Sequence, residues 1–174
     1  QGSALLIAIL CIFYLQNTTG ELANILTTSV VQLPDRIEKL LTENKTYKNK
    51  YTILLDHYAD MIKNDLLKQS NGPLVSHMFT DLTMKELEMI AAKLRQHTDK
   101  IILFGTQAEQ KLLLTHNSEV TLHCGKTIHL YLDQFHGKGG GNNKKAQAVF
   151  QSKRDLQKYF QTLKDHLQNN IPVN

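Results

Sequence analysis

The residues best suited to do chemistry in this 174-residue chain lie together in one stretch, Gly137-Lys138-Gly139-Gly140-Gly141-Asn142-Asn143-Lys144-Lys145-Ala146-Gln147-Ala148. Four of the nine glycines fall between positions 137 and 141. Glycine serves where a backbone must take positive φ or let a phosphate or a second backbone come close. Lys138, Lys144 and Lys145 bracket the run. Successive free N–H groups form a concavity for anions and lysine adds point charge at its rim, so this pattern predicts a phosphate cradle. Composition alone also fits a flexible, solvated loop. In a cradle with Gly140 at positive φ, Gly140→Ala would add strain of order 1 kcal/mol.

Charge distribution points the same way. The chain carries +4 overall, and the stretch from Gly137 onward holds Lys138, Lys144, Lys145, Lys153, Arg154, Lys158 and Lys164 against Asp155 and Asp165. A local cationic excess of this kind predicts contact with a polyanion such as nucleic acid, although a solvated helix face carries similar charge. If the glycine run is only structural, the basic final helix with Lys153, Arg154 and Lys158 becomes the contact surface.

Three glycines, four residues and then Ala146-Gln147-Ala148 resemble the signature of the DHHA1 domain. That domain ends alanyl-tRNA synthetases and the longer free-standing alanyl-tRNA editing proteins, and it also closes DHH-family phosphoesterases and nucleases. The chain departs from the pattern at Val149 and Phe150, where paired glycines are usual, and at Asn142-Asn143, where Arg-Pro is common. The resemblance covers roughly residues 70–170, with a looser match to the helical region before them. It implies tRNA as the partner, held by Gly137, Lys138, Gly139, Gly140, Gly141, Asn142, Lys144, Lys145, Gln147, Lys153 and Arg154. It also implies a parent protein that hydrolyses mischarged tRNA in a zinc-dependent domain absent from this chain, leaving no cofactor in the chain itself. The alternative is the nucleotide-binding or phosphate-binding half of a DHH-type phosphoesterase. A structural assembly module without a ligand is a third reading. His and Cys metal ligands upstream of Gln1 would favour editing, and an Asp-His-His motif the phosphoesterase.

These residues need elements to position them. Residues 1–70 read as helical. Positions 4–15 are almost uniformly apolar but fall short of the ~18 residues of a membrane span, so a buried helix is expected and a membrane partner is not. A helix apolar on every face needs cover from a neighbouring domain, a second copy or its own core. Asn17-Thr18-Thr19-Gly20 is expected to break it before a short helix from Glu21 to Leu26. From Leu33 to about Gln69 a 3-4 seam recurs as Leu33, Leu40, Tyr47, Leu54 and Met61 interleaved with Ile37, Asn44, Tyr51, Tyr58 and Asp65. So long a heptad helix asks for a partner helix, which predicts a coiled coil and a homodimer.

Gln69-Ser70-Asn71-Gly72-Pro73 marks a boundary before a second domain, 71–174. There the pattern predicts strand 74–79, helix 83–96 capped at Asp81 or Thr83, strand 101–105 and a hairpin partner at 110–115. A helix over 125–135, the glycine loop, strand 146–151 and a helix from Ser152 to Leu167 follow. Ser152 and Asp155 make a loose capping box. The order β-α-β-β-α-β-α gives a mixed α+β or α/β sandwich with a small mixed sheet.

Other chemistry is poorly supported. Gly125-Lys126-Thr127 ends like a phosphate-binding loop, but the required earlier glycine is Val120. His123, Cys124, His129 and His136 lack paired metal-ligand spacing, and His123 and Cys124 would point to opposite faces of a strand. No Gly-x-Ser-x-Gly marks a hydrolase. Cys11 and Cys124, with no signal peptide in view, read as thiols of a reducing cytoplasm, and a chain starting at Gln1 without methionine reads as an excised fragment.

Overall fold

The structure is a computed structural model that describes residues 2–70, 72–117 and 121–170. Asn71 of the expected boundary and Val120 of the rejected phosphate loop lie outside those residues. The chain divides into two compact units, Gln1–Leu54 and Leu55–Asn174.

In the first unit, α1 runs unbroken over Gly2–Ile25, so the expected stop at Asn17–Gly20 does not occur. The hydroxyl groups of Thr18 and Thr19 donate to the carbonyls of Tyr14 (2.9 Å) and Leu15 (2.8 Å), which lets the polar residues satisfy themselves inside the helix. Leu5, Leu6, Ile7, Ile9, Leu10, Phe13 and Tyr14 are each more than half exposed, so α1 is not buried in a core of this chain. Its stretch Ser3–Ile25 is long and apolar enough to cross a membrane by length and composition. Buried core helices and signal sequences meet that test too.

A 3-10 turn over Val30–Gln32 leads into α2, Leu33–Gln69, a helix about 55 Å long. Tyr47, Tyr51, Leu54, Tyr58 and Met61 of its heptad seam are exposed. Leu55, Ala59 and Leu66 of the same helix are buried and belong to the second unit.

The second unit is a five-stranded sheet in the order β1-β2-β3-β5-β4. Strand β1 (Leu74–Phe79) and β2 (Ile101–Thr106) are parallel and joined through helix α3 (Met84–Arg95). A parallel pair needs such a crossover. Thr83, one of the two expected caps, closes α3 through a capping box: its hydroxyl accepts from the Glu86 N–H, and the Glu86 carboxylate accepts from the Thr83 N–H at 2.6 Å. Strand β3 (Lys111–Thr115) returns antiparallel as the expected hairpin.

Each face of the sheet has its own core. Val75, Phe79, Ile102, Phe104 and Leu113 pack against α3 and the end of α2. Lys93 Nζ reaches Asp56 (2.7 Å) and Asp60 (3.0 Å), fastening those helices to each other and, with Lys63, holding the Asp60 carboxyl below its ordinary range. On the opposite face Ile101, Leu103, Leu112 and Leu114 pack with α4 (Cys124–Ile128) and α5 (Lys153–Asn170).

The expected helix over 125–135 is instead the short α4 followed by a 3-10 turn, Leu132–Phe135. Tyr131 lies between them at φ 64. This left-handed residue breaks the helical path and lets Leu132 turn into the core at 3% exposure. His123 is the N-cap of α4, its Nδ1 accepting from the Lys126 N–H at 3.2 Å, and is not a strand neighbour of Cys124.

Candidate nucleic-acid interface

The glycine run is a strand, not a loop. Lys138–Gly141 forms β4, the sheet edge, paired antiparallel with β5 (Lys145–Val149) so that Gly139 faces Ala148 and Gly141 faces Ala146. None of the described glycines has positive φ, which removes the expected strain at Gly140. The glycines answer a steric demand instead. A Cβ on Gly139 would collide with the Gln147 carbonyl oxygen and lie 2.8 Å from the Ala148 Cα, and one on Gly141 would collide with the Lys145 carbonyl oxygen. A Cβ on Gly140 would meet only His129 Nε2, at 4.0 Å.

The turn after β4 is equally committed. Asn142 Oδ1 accepts from the N–H groups of Lys144 (2.9 Å) and Lys145 (3.0 Å), and the Asn142 N–H donates to the Lys145 carbonyl at 2.8 Å. Those three amides are committed within the turn, which is therefore not a loose loop. Its carbonyls hold α4 in place: the Cys124 N–H donates to Asn143 and the Gly125 N–H to Asn142, at 2.9 and 2.8 Å. Gly125 is glycine because a Cβ there would sit 2.5 Å from the Gly141 carbonyl oxygen. Thr115 Oγ1 donates to the Lys144 carbonyl (2.9 Å), and buried His116 approaches the Asn143 carbonyl (3.0 Å) through Nε2, pinning the turn to β3.

Strand alternation then sorts the side chains. Ala146 and Ala148 enter the core beneath α4 and α5. Lys145, Gln147 and Val149 point the other way, where Gly140 lies opposite Gln147 and Lys138 opposite Val149. The neighbouring β3 adds Lys111 opposite Val149 and Thr115 opposite Lys145. Within the second unit α3 packs on this face over β2 and β3, and the β5–β4 side next to it forms a basic sheet surface on which Lys138 and Val149 are exposed. Two shallow recesses mark it, one of about 310 Å³ at Gly140, Lys145 and Gln147 and one of about 240 Å³ at Lys111, Lys138 and Gln147.

Glu88 of α3 stands at the border of this surface. Its Oε1 accepts from Lys145 Nζ at 2.6 Å and also from Gln147 Nε2. Lys111 is paired with Glu109 at 2.6 Å. Lys138, Lys145 and Gln147 therefore share one sheet face, with Gly140 opposite Gln147. Lys144 and Asn142 sit in the adjoining turn, and Gly137 packs inward, where a Cβ would meet Leu132 and Phe150. Lys153 and Arg154 do not join them: they are exposed in the first turn of α5, which packs on the other face. Ser152 caps that helix, accepting from the Asp155 N–H at 3.0 Å.

Sequence reasoning missed Glu88, Arg95 and Lys111. The signal for the first two was present in α3, where Glu88, Ala91, Ala92 and Arg95 follow i, i+3, i+4, i+7 spacing and so share one helix face. Among the described residues no group of three His, Cys, Asp or Glu side chains is placed to hold a metal ion.

Known proteins resemble parts of this chain in sequence or in fold. An alanine–tRNA ligase of Alkaliphilus metalliredigens (strain QYMF) is 25% identical over 166 residues, covering 90% of this chain and 19% of that protein. The chain thus spans about a fifth of that relative's length. RecJ in complex with Mn2+ from Thermus thermophilus is similar in fold, with a TM-score of 0.54 and 12% identity over 87% of this chain and 27% of that one. The C-Ala domain from Aquifex aeolicus alanyl-tRNA synthetase is 22% identical over 55% of this chain and 90% of that domain, with a TM-score of 0.47. The DHHA1 domain model matches residues 71–169, more than half of the chain, and the chain belongs to that family.

Proposed function

We propose that this chain is the tRNA-binding C-terminal region of an alanyl-tRNA synthetase-related protein, a cytoplasmic trans-editing aminoacyl-tRNA hydrolase whose zinc-dependent catalytic domain is separate from these residues. The observation that carries the reading is the sheet face on which Lys111 and Lys138 flank Val149 and Lys145 stands farther along the same strand, with Gly140 opposite Gln147. Lysines on a flat, rigid surface neutralise phosphates without requiring a particular base sequence. The similarity to an alanine–tRNA ligase over most of the chain favours tRNA as that polyanion. Filter binding of tRNA to the full chain tests it. Salt-sensitive retention is expected, and no retention above an albumin control at about 50 mM salt overturns it.

Glu88 gives the reading a sharper consequence. In the free protein its carboxylate occupies Lys145 and Gln147. Glu88→Gln should therefore tighten tRNA binding at low salt, because Lys145 then meets the phosphate without a competing carboxylate beside it. A weaker or unchanged complex would mean that Lys145 does not face the RNA.

The helical region is assigned to assembly. The exposed seam of Tyr47, Tyr51, Leu54, Tyr58 and Met61 on α2 keeps 3-4 spacing, as two helices packed side by side require. A homodimer is expected by sedimentation equilibrium of the full chain, and a strict monomer at high micromolar concentration would remove this part of the reading. The alternative, a nucleotide-binding half of a DHH-type phosphoesterase, draws on the fold shared with RecJ. Tighter binding of mononucleotides than of tRNA would favour it.

A further inference from the structure

Arg95 is the last residue of α3 and stands where two recesses meet. One, of about 190 Å³, is walled by Glu88, Arg95, Thr115 and Lys145 above Leu113. The other, of about 340 Å³, is lined by Arg95, Gln96, His116, Asn117 and Lys144. The Arg95 Nε is buried and has no hydrogen-bond partner. Among the described residues no carboxylate forms an ion pair with its guanidinium, whereas Lys145 is held by Glu88, Lys111 by Glu109 and Lys93 by Asp56 and Asp60. Buried donors without acceptors are rare in folded proteins, and the side chain that carries this one lines both recesses. The guanidinium is a planar fork whose parallel N–H groups match two oxygens of a phosphate.

We infer that the recess between α3 and strands β3 and β5 seats one backbone phosphate of an RNA strand, with Arg95 supplying the fork and Lys145 bridging the phosphate to Glu88. Charge identifies the kind of phosphate. Arg95 and Lys145 against Glu88 leave one positive charge at the seat, which a singly charged phosphodiester neutralises and a doubly charged terminal phosphate exceeds. The inference rests on the tRNA-binding reading and adds to it a fixed point of attachment on α3, outside the glycine hairpin.

Arg95→Lys and Arg95→Met in the full chain test it, with tRNA filter binding across a salt series and thermal unfolding as paired readouts. Arg95→Lys keeps the charge but loses the fork, so affinity should fall about tenfold, the worth of a charge-assisted hydrogen bond, with an unchanged salt slope. Arg95→Met keeps the apolar stem and should also flatten the slope by about 0.7 to 0.9. Both should unfold at or above the parent's temperature, because Nε has no partner to lose. Affinity at the parent's level in both variants, or lowered unfolding temperatures with affinity kept, would make Arg95 structural and overturn the seat. Inorganic phosphate and AMP separate the sources: either one displacing tRNA at micromolar concentration overturns the diester assignment. If the parent retains no tRNA, the tRNA reading fails by itself. Calorimetry with the dinucleoside monophosphate ApA, which carries one diester charge, then decides the anion seat: heat lost in Arg95→Lys keeps it, and no heat with the parent or equal heat in Arg95→Lys removes it.

Discussion

Gly141→Ala is expected to unseat the β4–β5 hairpin, whereas Gly140→Ala, one residue away in the same strand, should leave the fold intact or slightly stabilised. The added methyl at 141 would be driven into the Lys145 carbonyl oxygen and against Ala146, both part of the paired strand. Backbone cannot swing aside as a long side chain can. Gly141 is held by α4 as well, because Gly125 packs close to its carbonyl and the Gly125 N–H is bonded to Asn142. Overpacking of this kind costs about 1–3 kcal/mol and more when backbone must move. A loss of about 3 kcal/mol lowers the unfolding temperature of a chain this size by roughly 6–12 °C. At Gly140 the nearest atom to an added Cβ is 4.0 Å away and φ is not positive. Alanine there reduces the freedom of the unfolded chain and contributes about 0.4–1 kcal/mol to stability. Thermal unfolding of the two variants reads opposite signs. Equal destabilisation would show that Gly140 is constrained by something other than these contacts.

That contrast shows what the sequence could and could not say. The start of α3 near Thr83, the β2–β3 hairpin and the length of α2 were legible because each depends on residues close together in the chain. The glycine strand was not, since isolated glycines disfavour strands and a run of them reads as a turn. The reason for Gly139 and Gly141 is a close approach to Gln147 and Lys145, which only the β5 pairing creates. Local signals also misled at Asn17–Gly20, where the threonine hydroxyls bond back into α1 in place of ending it. Within the site, Lys138 and Lys145 were singled out by composition and spacing, and Gln147 by the resemblance of Ala146-Gln147-Ala148. Arg95 and Glu88 were hidden because roughly fifty residues separate them from the hairpin, and their proximity follows from α3 lying over β3 while β3 pairs with β5.

Replacing Lys138, Lys144 and Lys145 together by alanine is expected to produce the largest change in binding. Each phosphate neutralised in a single-stranded or irregular region contributes about 0.7 to the log–log salt slope, so the triple variant should be flatter by about 2. Over a fourfold rise in salt, from about 50 to 200 mM, the parent should then lose roughly twentyfold more affinity than the variant. The two lines should converge as salt rises, because only the electrostatic part has been removed. Loss of Lys145 has an added effect of known sign: the Glu88 carboxylate, paired with it at 2.6 Å, is left facing the RNA. Adding Glu88→Gln to the triple background should therefore recover part of the low-salt affinity. The companion variant with Lys153, Arg154 and Lys158 replaced alters α5 on the opposite side of the sheet and should change the slope less. If the hairpin triple runs parallel to the parent while the α5 triple flattens, the RNA lies across α5 and the basic face of β4 and β5 serves another purpose.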